Sequence, residues 1–232
     1  MSGAAPGGVG GPPLVRPSVL AQVADSVPVA RGDDCVRVAV DGVDGAGKTV
    51  FADELAAELD ARGRRVLRIS VDDWHQVRAL RYARGRTSAE GFWLDSYDYA
   101  RLRTEVLEPL GPGGSRAYRA RGHDLETDEV LTGPVSQAPA GAVVVVDGLF
   151  LQRAELEGCF DFAIWLDVPF EETAARMAGR DGTSADPEDP SMHRYVAAQR
   201  RYFALRSPWN RADLVVDNTD LAAPFVVTGR FD

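Results

Sequence analysis

The chain has 232 residues, of which 45% are hydrophobic, and this size and apolar fraction fit one large folded domain. Its formal net charge of −9 argues against broad nucleic-acid binding, because affinity for a phosphate backbone comes largely from clustered Lys and Arg. No apolar run could span a bilayer, and the N-terminus lacks the basic flank and apolar stretch of a secretory signal, so we expect a cytoplasmic protein with no membrane or nucleic-acid partner.

The first third of the chain predicts a tail, a helix and the start of the folded core. Residues 1–13 are rich in Gly and Pro and are expected to be disordered. Residues 14–34 form an N-terminal helix and linker, with the helix over Pro17 to Val27. The main domain is predicted over 35–232.

Strand and helix patterns then alternate, which is typical of an α/β fold with a parallel sheet covered by helices. Five strands are predicted, over 36–40, 65–70, 143–146, 162–168 and 213–216. Helices are predicted over 48–62, 97–110, 171–180 and 191–206, from apolar residues that recur at helical spacing.

A phosphate-binding loop is predicted between the first strand and the helix that follows it. Residues 42–49 read GVDGAGKT and match the pattern GxxxxGK[ST] in the strand-to-helix context that it requires. Backbone N–H groups and the helix N-terminus would hold phosphates there. We expect nucleotide binding by Gly42, Asp44, Gly45, Ala46, Gly47, Lys48 and Thr49. The Lys48 ammonium would neutralise phosphate charge, and the Thr49 hydroxyl would bind Mg²⁺.

Acidic residues follow two other strands and predict the rest of the site. Asp147 ends the apolar run 143–146 and is a candidate Mg²⁺ ligand, although it could instead cap the turn. The second strand is followed by Asp72 and Asp73, then by Trp74 and His75. A carboxylate here could accept the proton of a substrate hydroxyl and face the metal, and the sequence favours Asp72, with Asp73 the alternative.

These motifs together resemble the uridine kinase branch of the P-loop kinases, related to the phosphoribulokinase and pantothenate kinase groups. The segments that carry the likeness are 41–49, 71–75, 92–99, 118–119, 146–148 and 212–218, so it extends over about 36–220. The resemblance implies a three-layer P-loop NTPase fold of the nucleoside kinase type. Lid helices at about 176–200 and a small β-hairpin would cover the substrate.

The resemblance also implies roles for individual residues. Asp72 would be the catalytic base, with Asp73, Trp74 and His75 beside it, and Asp95 would bind sugar hydroxyls. Tyr118 and His123 would line a pyrimidine base. Arg176 and Arg180 match the start of an arginine-bearing lid that closes over ATP. The chain departs from the nucleoside kinases at 182–190, where acids and prolines stand in place of further arginines, so Arg194, Arg200 or Arg201 would have to replace them. It also departs at Asp147, where a Glu is common.

The predicted function is transfer of the ATP γ-phosphate to a hydroxyl of a small molecule, with Mg²⁺ as the metal. The leading acceptor is the 5′-hydroxyl of uridine or cytidine. A kinase for a pantothenate-like, sugar-phosphate or ribosylnicotinamide acceptor has the same architecture. A regulatory ATPase without an acceptor is the third hypothesis. The preference for ATP over GTP and the order of any homo-oligomer stay open.

Overall fold

A computed structural model of the chain describes residues 15–228. The tail predicted over 1–13 lies outside the described residues. Over 15–228, no helix combines the length and the apolar character that crossing a membrane would need.

The strands and helices follow the predicted alternation. In chain order the strands are β1 Val36–Gly42, β2 Val66–Ser70, β3 Ala117–Tyr118, β4 His123–Asp124, β5 Glu129–Val130, β6 Ser136–Gln137, β7 Val143–Gly148, β8 Phe162–Asp167, β9 Leu214–Asp217 and β10 Phe225–Val226. The helices are α1 Arg16–Ser26, α2 Lys48–Ala61, α3 Arg78–Arg81, α4 Ala89–Asp95, α5 Tyr99–Leu102, α6 Phe170–Asp181, α7 His193–Arg206 and α8 Pro208–Arg211.

Six of these strands form the central sheet, in the order β10-β9-β8-β1-β7-β2. The five predicted strands are present and parallel, and the sixth, β10, pairs antiparallel with β9 at the edge. The prediction of five strands missed β10 because it is only two residues long. In the register of β1 and β7, Asp41 is opposite Gly148, so the chain leaves both strands at the same edge.

The core is built on the two central strands, since every residue of β1 and β7 is buried. α1 contributes to this core through Val19, Leu20 and Val23, so the predicted N-terminal helix packs against the main domain. The helix predicted over 97–110 begins at Tyr99, where the Asp98 carboxylate accepts a hydrogen bond from the Arg101 N–H at 3.0 Å. It continues as a π-helical segment over Arg103–Leu107.

The predicted small hairpin is present as β4 and β5, and a second short antiparallel ladder lies outside it. β4 pairs with β5, and β3 pairs with β6 outside them. Tyr118 and His123 therefore lie on different ladders, opposite Ser136 and Val130 respectively.

Candidate functional site

The phosphate-binding loop connects β1 to α2 and depends on glycine at two positions. Gly45 and Gly47 have φ of +79° and +87°, in the left-handed region that side chains with a Cβ rarely adopt. A Cβ on Gly45 would also lie 2.7 Å from the carbonyl oxygen of Thr173 in α6. The loop thus turns sharply, and the N-terminus of α2 begins at Lys48 directly after it.

Lys48 and Thr49 lie at the start of α2 and face the loop and β7. The Lys48 Nζ donates a hydrogen bond to the Val43 carbonyl at 2.8 Å, which holds the ammonium within the loop. Lys48 is the only lysine in the sequence. The Thr49 hydroxyl donates to Asp147 Oδ2 at 2.8 Å, so the two predicted metal ligands are in contact.

Asp147 is buried at the end of β7 and carries a second partner from β2. Arg68 donates a hydrogen bond from Nη2 to Asp147 Oδ1 at 2.9 Å. The paired hydroxyl and carboxylate fit a divalent cation that takes most of its ligands from phosphate and water. In the described part of the chain, no group of three or more His, Cys, Asp or Glu could hold a metal ion on its own.

A buried carboxylate supports the base of the loop. Asp41 is fully buried, and its Oδ1 accepts a hydrogen bond from the Gly42 N–H at 2.8 Å. Its Oδ2 accepts one from the Tyr202 hydroxyl of α7 at 2.5 Å. Burial raises the pKa of Asp41 to about 6, although these hydrogen bonds and the Lys48 charge act in the opposite direction.

A cavity of about 810 Å³ opens beside the loop and brings the two halves of the predicted site together. Asp44, Gly45, Gly47, Lys48 and Thr49 line one part, with Asp147. Asp72 and His75 line the same cavity, so the favoured base and the phosphate-binding loop share one space.

Asp72 is exposed to this cavity and is oriented by its neighbours. The Tyr97 hydroxyl donates a hydrogen bond to Asp72 Oδ1 at 3.2 Å. The Nδ1 of His75 lies 2.7 Å from the Asp72 carbonyl oxygen and must carry a proton for this contact, which leaves Nε2 as an acceptor. Desolvation lowers the pKa of His75, which favours the neutral ring. The sequence assigned no role to Tyr97 in orienting Asp72.

Asp73 and Trp74 do not line this cavity. The Asp73 carboxylate accepts a hydrogen bond from Arg121 Nε at 2.7 Å, and neither of these residues lines the cavity. Trp74 is only 1% exposed, and Gly122 packs on its ring so closely that a Cβ would lie 2.4 Å from it. Of the two candidate bases, Asp72 therefore lines this cavity and Asp73 does not, and Trp74 is a core residue.

The three residues expected to read a nucleoside also lie outside the cavity lining. Asp95 accepts a hydrogen bond from Arg84 Nε at 2.8 Å and lines a separate cavity of about 420 Å³. Tyr118 packs against the main core. His123 is buried, with its Nε2 3.3 Å from Asp128. The resemblance gave Tyr118 and His123 by their spacing, but these two residues lie on separate ladders, whereas Asp95 is the last residue of α4.

The two predicted lid arginines differ in their surroundings. Arg176 donates from Nη2 to the carbonyls of Asn218 and Thr219 at 3.0 and 2.7 Å, which ties α6 to the chain after β9. Arg180 is exposed, pairs with Asp181, and lies 4.0 Å from Asp44. Burial raises the pKa of Asp44, against the lowering effect of Lys48. Both arginines line the large cavity.

Other residues of the cavity were absent from the sequence-based site. They include Arg81, Tyr82, Arg86, Phe92, Ser96, Arg194 and Tyr195. The signal available was the arginine-rich run 78–86, RALRYARGR, although the sequence alone does not bring it near Arg194. Arg194 entered the sequence analysis only as a replacement for a lid arginine, together with Arg200 and Arg201.

Comparisons with known proteins identify the fold. No protein-family model and no curated protein matches the chain. A possible uridine kinase from Bacillus stearothermophilus matches with a TM-score of 0.67 and 24% identity, over 86% of this chain and 96% of that chain. A candidate fructose transport system kinase from Silicibacter sp. TM1040 matches with a TM-score of 0.64 and 23% identity, over 84% and 98%. The YGR205w protein matches with a TM-score of 0.53 at 8% identity, over 85% and 91%. The chain thus has a uridine kinase-like P-loop kinase fold, as its sequence predicted.

Proposed function

Starting from this fold, we propose that the chain is an ATP- and Mg²⁺-dependent kinase that phosphorylates a hydroxyl of a small molecule. The observation that carries the proposal is the shared cavity, which has Lys48 and the phosphate-binding loop in one part of its lining and Asp72 in another. A regulatory ATPase would need the first part but would have no use for an oriented carboxylate beside it.

The residues of the loop bind and orient the phosphates. Backbone N–H groups around Gly45 and Gly47 and the N-terminus of α2 attract the phosphate oxygens. Lys48 adds a positive charge at the β- and γ-phosphates. A Mg²⁺ ion held by Thr49, with Asp147 direct or through water, would neutralise charge on the transferred phosphoryl group.

Asp72 supplies the proton acceptor. A hydroxyl within hydrogen-bond reach of its carboxylate loses its proton to that carboxylate as its oxygen bonds to the γ-phosphorus. The bond from the γ-phosphorus to the bridging oxygen breaks, and ADP leaves with that oxygen. The Tyr97 hydroxyl fixes one carboxylate oxygen, which leaves the other for the acceptor. Arg180 is exposed at the cavity and can approach the phosphates, whereas Arg176 supports the loop through its backbone contacts.

Uridine or cytidine as the acceptor stays a prediction. It rested on the resemblance and on Asp95, Tyr118 and His123, and these side chains do not line the cavity that holds Asp72. The cytoplasmic location and a homo-oligomer are also still predictions.

The test compares two carboxylate variants in a phosphotransfer assay with a panel of alcohols. We expect Asp72→Asn to lower kcat by about 10²- to 10⁴-fold, because it removes the proton acceptor. ATP affinity, measured by calorimetry, should stay within about twofold, because the phosphate-binding loop is unchanged. Asp73→Asn is the matched variant one residue away, and its kcat should stay within about threefold, because its carboxylate pairs with Arg121.

Each alternative gives a different result. Loss of transfer in Asp73→Asn with normal transfer in Asp72→Asn would make Asp73 the base. ATP hydrolysis that no alcohol stimulates, in a protein that binds ATP tightly, would favour the regulatory ATPase and end the kinase proposal.

A further inference from the structure

One part of the cavity lining carries an arginine cluster that the proposed mechanism does not use. We call Arg81, Arg86 and Arg194 the arginine cluster. Their guanidinium carbons lie 5.3, 4.4 and 5.2 Å from the centre of the Tyr82 ring, so three positive charges surround one aromatic side chain. Arg194 also lies 4.9 Å from the centre of the Phe92 ring.

Arg81 is the most constrained member of the arginine cluster. It is 7% exposed, lines the cavity, and has no hydrogen-bond partner for its buried Nε. Its one carboxylate contact among residues 15–228 is Asp128, at 3.6 Å. Asp128 already accepts hydrogen bonds from the Arg78 N–H at 2.9 and 3.1 Å, and His123 lies 3.3 Å from it. Its negative charge is therefore shared with other donors.

Arg86 and Arg194 have no carboxylate within 4.0 Å anywhere in the described residues. Arg194 donates instead to the Arg86 carbonyl, which holds the two residues together. A guanidinium over an aromatic ring keeps its N–H edge free for bidentate hydrogen bonds to an anion such as carboxylate or phosphate. Three such groups at one cavity with so little neutralisation repel one another unless an anion binds between them.

A second unpartnered group lines the cavity next to the base. Ser96 is 2% exposed, its hydroxyl has no hydrogen-bond partner, and it precedes Tyr97, which contacts Asp72. A buried hydroxyl without a partner is costly, and a polar ligand group would satisfy it. The cavity thus offers hydrogen-bonding groups around Asp72 and positive charge around Tyr82.

We propose that the acceptor of this kinase is an alcohol that also carries an anionic group, carboxylate or phosphate, which binds the arginine cluster while its hydroxyl reaches Asp72. This inference rests on the proposed function and names the substrate class of the same site. A neutral nucleoside would leave the guanidinium groups without a partner. Electrostatic attraction would also raise the rate at which an anionic acceptor enters the cavity.

The first experiment measures phosphotransfer to matched pairs of alcohols that differ in one anionic group. The pairs are glycerol with glycerate, panthenol with pantothenate, and ribose with ribose 5-phosphate. We expect the charged member to have the higher kcat/KM, by about 10- to 100-fold, which is the usual effect of one charge-assisted hydrogen bond. Glycerate and pantothenate report a carboxylate site, and ribose 5-phosphate reports a phosphate site. Preference for the neutral members, or for uridine, would overturn the inference and leave the kinase proposal intact.

The second experiment measures anion binding without chemistry. Inorganic phosphate is titrated into the protein saturated with a non-hydrolysable ATP analogue, so that the phosphate-binding loop is occupied. We expect saturable binding that Arg86→Gln weakens by about tenfold. Arg81→Gln should do the same, but its buried position makes the exposed Arg86 the safer variant. Arg84→Gln is the matched control, because Arg84 lies in the same segment, pairs with Asp95, and is absent from the large cavity.

The same variants distinguish two roles for the arginine cluster, binding of the acceptor and binding of ATP. For an acceptor site, Arg86→Gln raises the KM of the anionic acceptor and leaves the KM of ATP within about twofold. A rise in the KM of ATP alone would assign these arginines to the nucleotide and overturn the inference. Phosphate binding that is equal in the wild type, Arg86→Gln and Arg84→Gln would also overturn it, even if the protein is an active kinase.

Discussion

The buried carboxylate of Asp41 makes folding stability depend on pH in a direction opposite to that of most acidic residues. Its pKa rises from 3.8 to about 6 in the folded protein. Between about pH 4 and pH 6 the folded protein therefore keeps Asp41 protonated, whereas the unfolded chain has released that proton. Stability from Asp41 is fully present below about pH 4 and is lost as the pH rises through about 6.

The size of the effect follows from the pKa change. Each step of one in pKa corresponds to about 1.4 kcal/mol, so the rise from 3.8 to about 6 corresponds to about 3 kcal/mol. Asp41→Asn removes the titration. An asparagine has one oxygen where the aspartate uses two, so either Gly42 or Tyr202 loses its acceptor. That cost is the same at every pH and does not affect the slope.

The assay is denaturant unfolding of the wild type and of Asp41→Asn from pH 4 to pH 8. The free energies of unfolding of the two proteins are subtracted at each pH, so the titration of every group that the substitution does not affect cancels. We expect the free energy of unfolding of the variant to rise relative to the wild type by about 2.5 kcal/mol across this range, mostly between pH 4 and 6. A difference that does not change with pH, or that changes with the opposite sign, would refute the buried ionisable state of Asp41.

Three more outcomes are expected from the site. Because the sequence has no lysine other than Lys48, an amine-reactive reagent should modify only Lys48 and the α-amino group, and mass spectrometry should find Lys48 protected by ATP with Mg²⁺. Tyr97→Phe should lower kcat by about tenfold, because it removes one hydrogen-bond donor to Asp72. This loss should be smaller than that of Asp72→Asn, and a wild-type kcat would mean that the 3.2 Å contact does not orient the Asp72 carboxylate. In thermal melts with ADP, Arg68→Gln should lower the Mg²⁺ concentration at which half of the stabilisation is reached. The reason is that the Arg68 guanidinium, which competes with Mg²⁺ for Asp147, is removed. An unchanged Mg²⁺ midpoint would argue against Asp147 as a ligand.

Local patterns predicted the parts of the protein that depend on local sequence. The loop over 42–49 contains the glycines that its turns require, and the strand over 143–146 is an uninterrupted apolar run. Both therefore lie where the sequence predicted them. Asp72 also reaches the cavity as expected, because the ends of parallel strands meet at one edge of the sheet.

The region between β2 and β7 was predicted less well because its contacts are not periodic. Asp95 is held by Arg84, and Tyr118 is paired across to Ser136, through contacts that no spacing of residues predicts. The arginine cluster combines positions more than 100 residues apart, as the contact of Arg194 with the Arg86 carbonyl illustrates. Only the tertiary fold could reveal this combination.

The buried side chain of Asn218 joins parts of the chain that are far apart in sequence. Its Nδ2 donates to the Ala46 carbonyl at 2.8 Å, and its Oδ1 accepts from Arg16 Nη1 at 3.0 Å. Arg16 also donates to Glu54 at 2.7 Å. The segment after β9 therefore contacts the phosphate-binding loop directly, and the first helix supports that contact through Arg16. Removing residues up to 28 would delete Arg16 and its contacts with Asn218 and Glu54, so a shortened fragment keeps this support of the loop only if it includes Arg16.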